Sequence, residues 1–365
     1  MNVQRHHQLS RREFLRVAAS AGLAGAGVVL LGGCGSGDGN GSPTRTLEAV
    51  VDSPPETTTI RLSRNILSPR WAPLYLAEQF LPAEGFTDVR YIDVPPDSGT
   101  TGGDFQQIAS GEVDITLHLA SSVTVAADTV DQFVILAGVH NSVFELFAND
   151  RVQSLRDLKG KRIWVLKRDD PADPSYSFMA ALLAFVGIDF DRDVEFVEVS
   201  LEESFAQIEA GNIDAWTATR PNSTALRALG LGHVLIDGTV DAPWSQYFGN
   251  FATGNRAFVE QHPAATKRAL RAILKAADVC AREPERAARY VVDRGFTPLT
   301  SDQALDVISG VSYAAWREFN PEDTVRFYAL RLKEAGLVKS TPDELIARAT
   351  DWRYLDEIKR ELGVA

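Results

Sequence analysis

The side chains with chemistry to offer gather where strands are expected to end and helices to begin. Asn65, Ser68 and Trp71 follow the first expected strand, and His118, Ser121 and Ser122 the third. Lys167, Ser175 and Tyr176, then Thr217, Thr219 and Arg220, hold matching places later in the chain. Amides, hydroxyls and cations in such loops suit capture of a small polar molecule, because helix N-termini add unpaired N–H groups and partial positive charge. Closure over the molecule would remove water and strengthen those bonds. Trp244, in the segment Pro243-Trp244-Ser245-Gln246-Tyr247, either walls such a site or packs a junction.

Each candidate also has a purely structural reading. Ser121, Ser122 and Ser175 are good helix N-caps. His118 lies on a mostly apolar strand and fits a satisfied core histidine. Trp71 fits as a cover over a helix start. Lys167 and Arg168 are balanced by Asp169, Asp170 and Asp173. Arg220, before Pro221, fits as a pin holding its loop to a carboxylate. Ligand sign stays open, since Lys and Arg suit an anion while Trp, Tyr and carboxylates suit a cation or heterocycle.

Patterns for catalysis are missing. There is no G-x-S-x-G elbow, no phosphate-binding P-loop and no zinc spacing. Cys34 and Cys280 are the only cysteines, neither has a histidine nearby in sequence, and two cannot make a disulfide framework. Cys280 falls on an expected amphipathic helix and reads as packing. No metal or other cofactor is implied.

A repeated decamer shows what positions the candidates. Phe105-Gln106-Gln107-Ile108-Ala109-Ser110-Gly111-Glu112-Val113-Asp114 returns as Phe205-Ala206-Gln207-Ile208-Glu209-Ala210-Gly211-Asn212-Ile213-Asp214. Five positions are identical and two more near-equivalent. Leu201, Phe205 and Ile208 recur at helical spacing, Gly211 suits a left-handed helix end, and Ile213-Asp214-Ala215-Trp216 opens a buried strand. Two copies are too few for a solenoid, so they predict two similar α/β lobes. Open α/β sheets bind ligands beyond the carboxyl ends of their strands, so a ligand would lie between the two edges.

The totals agree with a two-lobed globular body. The chain has 365 residues, 45% of them apolar and 24% charged. A net charge of -12 and a pI near 5.1 argue against nucleic acid, which needs a basic face. Residues 1–33 run against this trend, with four arginines against Glu13. Ser10-Arg11-Arg12-Glu13-Phe14-Leu15-Arg16 looks like a twin-arginine export signal, and the apolar run Val17 to Leu31 is too short and mild for a membrane span. Leu31-Gly32-Gly33-Cys34 resembles a lipoprotein processing box, which makes Cys34 the expected lipidation site. The lipid would tether the protein to the membrane without spanning it. Residues 34–57, rich in Gly, Ser, Pro and Thr, read as a flexible leash of about 25–30 Å.

The remaining elements follow in order. Strands are expected at 58–63, 89–94, 114–119 and 133–139, with helices between them. A segment at 141–149 crosses to a second unit with strands at 163–165, 194–199, 213–216 and 233–236. A second segment, 244–253, crosses back. From Arg256 onward the pattern is nearly all helical: 263–282, 285–294, 301–309, 321–336, 342–349 and 352–362. The first lobe is therefore 58–142 plus 252–365, and the second, with the hinge segments, 143–251.

Several stretches resemble one family. "APLYLAEQF", "QIASGEVDI", "LRDLKGKRIWV", "IEAGNIDAW" and "NRAFVEQHPAATKRALRAILKAADV" are similar to bacterial solute-binding proteins of ABC importers, in the nitrate/sulfonate/taurine group (SsuA/THI5-like, NMT1-like). The resemblance covers roughly residues 57–340. "DTVRFYALRLKEAG" and "TDWRYLDEIKREL" resemble a subgroup of it. It implies a type II periplasmic-binding-protein fold: two α/β lobes joined by two hinge strands, with a helical C-terminal part. It also implies a monomeric, exported, lipid-anchored receptor without catalysis, which carries an anion or a thiamine-precursor-like heterocycle to membrane permease subunits. Related fungal pyrimidine synthases are enzymes, but their cysteine-rich iron motif has no counterpart here. A tethered sensor serving a signalling partner is the other alternative.

Overall fold

A computed structural model describes residues 53–65, 69–94, 102–168 and 170–364. The leader, Cys34, most of the leash and Ser68 lie outside the described residues.

Two five-stranded sheets repeat one topology. In the first the strand order is β2-β1-β3-β10-β4, with β1 Thr59–Arg64, β2 Asp88–Asp93, β3 Ile115–Leu119, β4 Phe133–Asn141 and β10 Phe248–Asn255. In the second it is β7-β6-β8-β5-β9, with β5 Glu145–Ala148, β6 Arg162–Val165, β7 Glu195–Glu198, β8 Ala215–Ala218 and β9 His233–Asp237. Each sheet has a parallel trio and one antiparallel strand, β10 or β5, inserted before the last. The chain crosses between the sheets after Asn141 and returns through the short turn Trp244–Gln246. The expected crossing strand at 141–149 is thus two strands broken at Ser142–Phe144.

The repeated decamer occupies equivalent places in both. Helices Gly102–Ser110 and Leu201–Glu209 each end before a glycine at positive φ, +76° at Gly111 and +70° at Gly211. Asp114 then takes the backbone N–H of Arg61 at 2.7 Å and its Nε at 3.1 Å. Asp214 takes the backbone N–H of Arg162 at 3.0 Å and its Nε at 3.2 Å. Each aspartate therefore stitches the start of its strand to the neighbouring parallel strand. Charged acceptors make such bonds strong.

We number the helices that matter below as α1 Ala72–Leu76, α2 Ala120–Ala126, α3 Pro174–Phe185, α4 Pro263–Arg282, α5 Ser301–Ser309 and α6 Arg353–Glu361. The long helix α4 begins at Pro263, where a missing N–H costs nothing. Its buried Lys267 and Arg271 bind Glu357 and Glu361 of α6 at 2.9 and 2.7 Å. Arg271 also grips Glu84 beside the first sheet. The C-terminal helices are thus anchored to the first lobe, and α5 is held over the cleft.

Candidate functional site

A narrow crevice opens between the two lobes. Arg70 reaches it from the loop before α1. Glu145 comes from β5, Thr219 and Arg220 from the loop after β8, and Thr239 from the loop after β9. Val143, Val307 and Val311 supply apolar wall.

Arg70 is the unusual member. It is 8% exposed, and its Nε has no hydrogen-bond partner. Among the described residues no carboxylate pairs with it. Burial lowers its pKa, opposed only by the nearby Tyr313 and Tyr75 hydroxyls, yet a guanidinium stays charged at neutral pH. A buried charge without a counterion is costly and rare. Sequence reading passed over it in favour of its neighbours. The available signal was its place as the one charged residue between Arg64 and Glu78.

The other charges of the crevice are paired. Glu145 is buried and accepts from Ser223 Oγ at 2.7 Å and from the Arg227 guanidinium. Arg220 holds Asp306 of α5 with Nη1 to Oδ1 at 2.9 Å, and Thr224 donates to the other oxygen at 2.7 Å. One positive charge, that of Arg70, is left over.

Of the sequence candidates among the described residues, only Thr219 and Arg220 line the crevice. Ser121 lies inside the first turn of α2, whose N-cap is Leu119, so neither Ser121 nor Ser122 is the cap. Ser121 Oγ instead accepts from Ser177 Oγ of α3 at 2.9 Å, a bond between the lobes. Ser122 is buried and its Oγ has no partner. Asp173, not Ser175, caps α3. Ser175 Oγ takes the Leu166 N–H at 2.9 Å. Burial pushes the Asp173 carboxyl up to about 6, against the donors of Ser175 and Tyr176.

The remaining described candidates are absent from the lining of the crevice. His118 stacks on Phe105 at 4.0 Å, with Nδ1 2.8 Å from Thr253 Oγ1. Tyr176 packs edge-on to Phe190 and Phe196. Trp244 is wholly buried edge-on to Phe185. Trp71 is buried at the start of α1. The Asn65 backbone is tied to Tyr75 Oη, which accepts from its N–H at 3.1 Å and donates to its carbonyl at 2.9 Å. Thr217 is buried on β8 with Oγ1 unpartnered, and Lys167 is half-buried after β6.

The comparisons agree with this architecture. No curated protein matches the chain in sequence. The alkanesulfonate-binding protein SsuA from Xanthomonas axonopodis pv. citri, bound to MOPS, aligns with TM-score 0.61 at 16% identity, over 81% of this chain and 99% of that one. The periplasmic nitrate-binding protein NrtA from Synechocystis PCC 6803 aligns at 0.65 and 14%, over 86% and 91%. The desulfurization enzyme DSZB aligns at 0.55 and 15%, over 83% and 99%. At such identities the likeness establishes the type II periplasmic-binding-protein fold and leaves the ligand to be argued from the site. The family model described as "NMT1/THI5 like" matches residues 69–287, most of both lobes, and the chain belongs to that family.

Proposed function

We propose that this protein is the extracytoplasmic, lipid-anchored solute-binding component of an ABC importer. It captures a small anion between its lobes and presents the closed form to permease subunits, without chemistry. The observation that carries this reading is Arg70. A buried guanidinium with no carboxylate is a poor way to stabilise a fold and a good way to recognise an anion that arrives from outside. The cleft position supports the same reading, as do the solved neighbours, an alkanesulfonate-binding and a nitrate-binding protein. Lobe closure would desolvate the pair and strengthen it. Arg220 and Thr219, on the opposite wall, are the second-lobe contacts we assign, and Cys34 the anchor.

The test is a thermal-shift screen of the exported protein against nitrate, sulfonates, bicarbonate, aromatic carboxylates, pyrimidines and polyamines. A ligand at 100 times its dissociation constant adds about 2.7 kcal/mol. That corresponds to several degrees, at about 2–4 °C per kcal/mol for a domain of 150–250 residues. A shift with an anion, lost in Arg70→Met, is the expected result. A shift with polyamines alone, or turnover of a hit, would overturn the reading.

A further inference from the structure

Beside Arg70, the first sheet holds further buried polar atoms without partners. His140, near the end of β4, and Asn250, near the start of β10, are partners across the ladder. Both are wholly buried. His140 Nε2 has no hydrogen-bond partner, and neither amide atom of Asn250 has one. Tyr313 links this pair to Arg70. Its ring meets that of His140 edge-on at 5.5 Å, and its hydroxyl donates to the Arg70 carbonyl at 2.9 Å. Native proteins rarely leave buried polar atoms unpaired, and each costs about 1–3 kcal/mol when they do. Unanswered polar atoms of this kind mark places where water or a ligand binds.

Its chemistry can be read from the partners it lacks. His140 Nδ1 lies 2.8 Å from the Asn141 carbonyl, which can only accept. Nδ1 therefore carries the proton, and Nε2 presents a bare lone pair. Burial, with Arg70 close by, pushes the ring's pKa down to about 3, despite the Asn141 carbonyl. The ring stays neutral at physiological pH and Nε2 stays an acceptor. Arg70 can only donate, and the Asn250 amide offers one group of each kind. The complementary molecule has a negative oxygen for Arg70 and a hydrogen-bond donor of its own for His140.

We propose that the ligand is a small monoanion carrying its own N–H or O–H donor, with its anionic oxygen on Arg70 and its donor on Nε2 of His140, and Asn250 pairing beside them. Nitrate and unsubstituted alkanesulfonates lack that donor and would leave Nε2 unanswered. This inference rests on the receptor reading above, and it narrows the anion by class.

Calorimetry on the exported protein tests it with pairs differing in one donor: ethanesulfonate against 2-hydroxyethanesulfonate, acetate against glycolate, nitrate against bicarbonate. In at least one pair the donor-bearing member should bind at least about tenfold tighter, since a site built to bond a hydroxyl rejects the analogue lacking it. His140→Gln, which keeps an acceptor, should retain the preference, and His140→Phe should abolish it. Should the variants not fold, nitrogen NMR of the native protein gives a second readout. The His140 Nε2 resonance should move upfield when the ligand is added. Equal affinities within every pair, or an unmoved resonance, overturn the donor requirement and leave the receptor standing. No binding by any donor-bearing anion also overturns it. In that case native mass spectrometry of the isolated protein decides the receptor reading, which survives if a different small molecule is retained and fails if none is.

Discussion

Arg220 and Asp306, 86 positions apart, meet at 2.9 Å across the cleft between the lobes. Arg220 also donates to the Asp306 carbonyl at 3.2 Å, and Thr224 reinforces the carboxylate. The helix α5 that carries Asp306 packs on the first lobe, so the pair latches second to first. Both side chains are 33% exposed, which limits the bond to the modest range of surface pairs.

Asp306→Asn should therefore loosen closure without harming the fold. A loss of up to about 1 kcal/mol shifts the open-to-closed ratio by about fivefold. Small-angle scattering of the ligand-free variant should give a larger radius of gyration, with the melting temperature nearly unchanged. An identical scattering curve would remove the latch.

Gly310 approaches the same arginine. A Cβ there would stand 2.7 Å from Arg220 Cδ. The backbone at Gly310 is ordinary, so the demand is for space alone. Gly310→Ala should displace Arg220 and open the cleft in the same sense as Asp306→Asn. Since both act through one contact, the double variant should show no more than the larger single effect.

Arg70→Met should separate binding from stability. We expect ligand binding to be lost while the ligand-free protein becomes more stable by about 1 kcal/mol or more, because an unpaired buried charge is removed. Paired denaturant titrations and calorimetry would read both. A destabilised variant would mean that Arg70 holds the fold through contacts other than hydrogen bonds.

Asp214 gives a pH-dependent prediction. Burial acts to raise its pKa, but the Arg162 N–H and side chain, Asn149 and Arg151 outweigh it and hold the carboxyl at about 2. A depressed carboxylate contributes stability that is present above its unfolded pKa near 4 and is lost as pH falls through its folded value. Asp214→Asn should therefore cost about 2 kcal/mol at pH 7. The gap from the native protein should close between about pH 4 and 2. A gap independent of pH would mean that the loss is one of packing.

Cys34→Ala should abolish lipid labelling and release the protein from membranes. Normal labelling in that variant would remove the processing-box assignment.

The repeated decamer was legible because its signals are local. An apolar helix face, a glycine past its end and a strand opened by an aspartate sit within ten residues, and Gly111 and Gly211 carry the positive φ that such a helix end favours. The helices at 301–309 and 342–349 also lie where their periodicity puts them. Side-chain direction was not legible. In a list of residues Tyr176 reads as a ligand contact and Trp244 as either a cleft wall or a packing residue, and only the fold sets Tyr176 against Phe190 and Phe196 and Trp244 against Phe185. Ser175 is not the cap because the helix already begins at Pro174, where Asp173 accepts from the Ser175 and Tyr176 N–H groups.

The sequence by itself determined the two α/β units, their order and their family, because short-range periodicity and the internal repeat carry that information. Only the tertiary structure decided which polar groups are left without partners. Arg70 is a loop arginine in the sequence. It becomes a candidate for recognition because folding brings carboxylates to Arg220 and Arg227 but none to it, and because Tyr313 joins it to His140, which pairs with Asn250 across two strands far apart in sequence. Whether a charge is answered depends on every element packed around it, and neighbours in sequence do not reveal that.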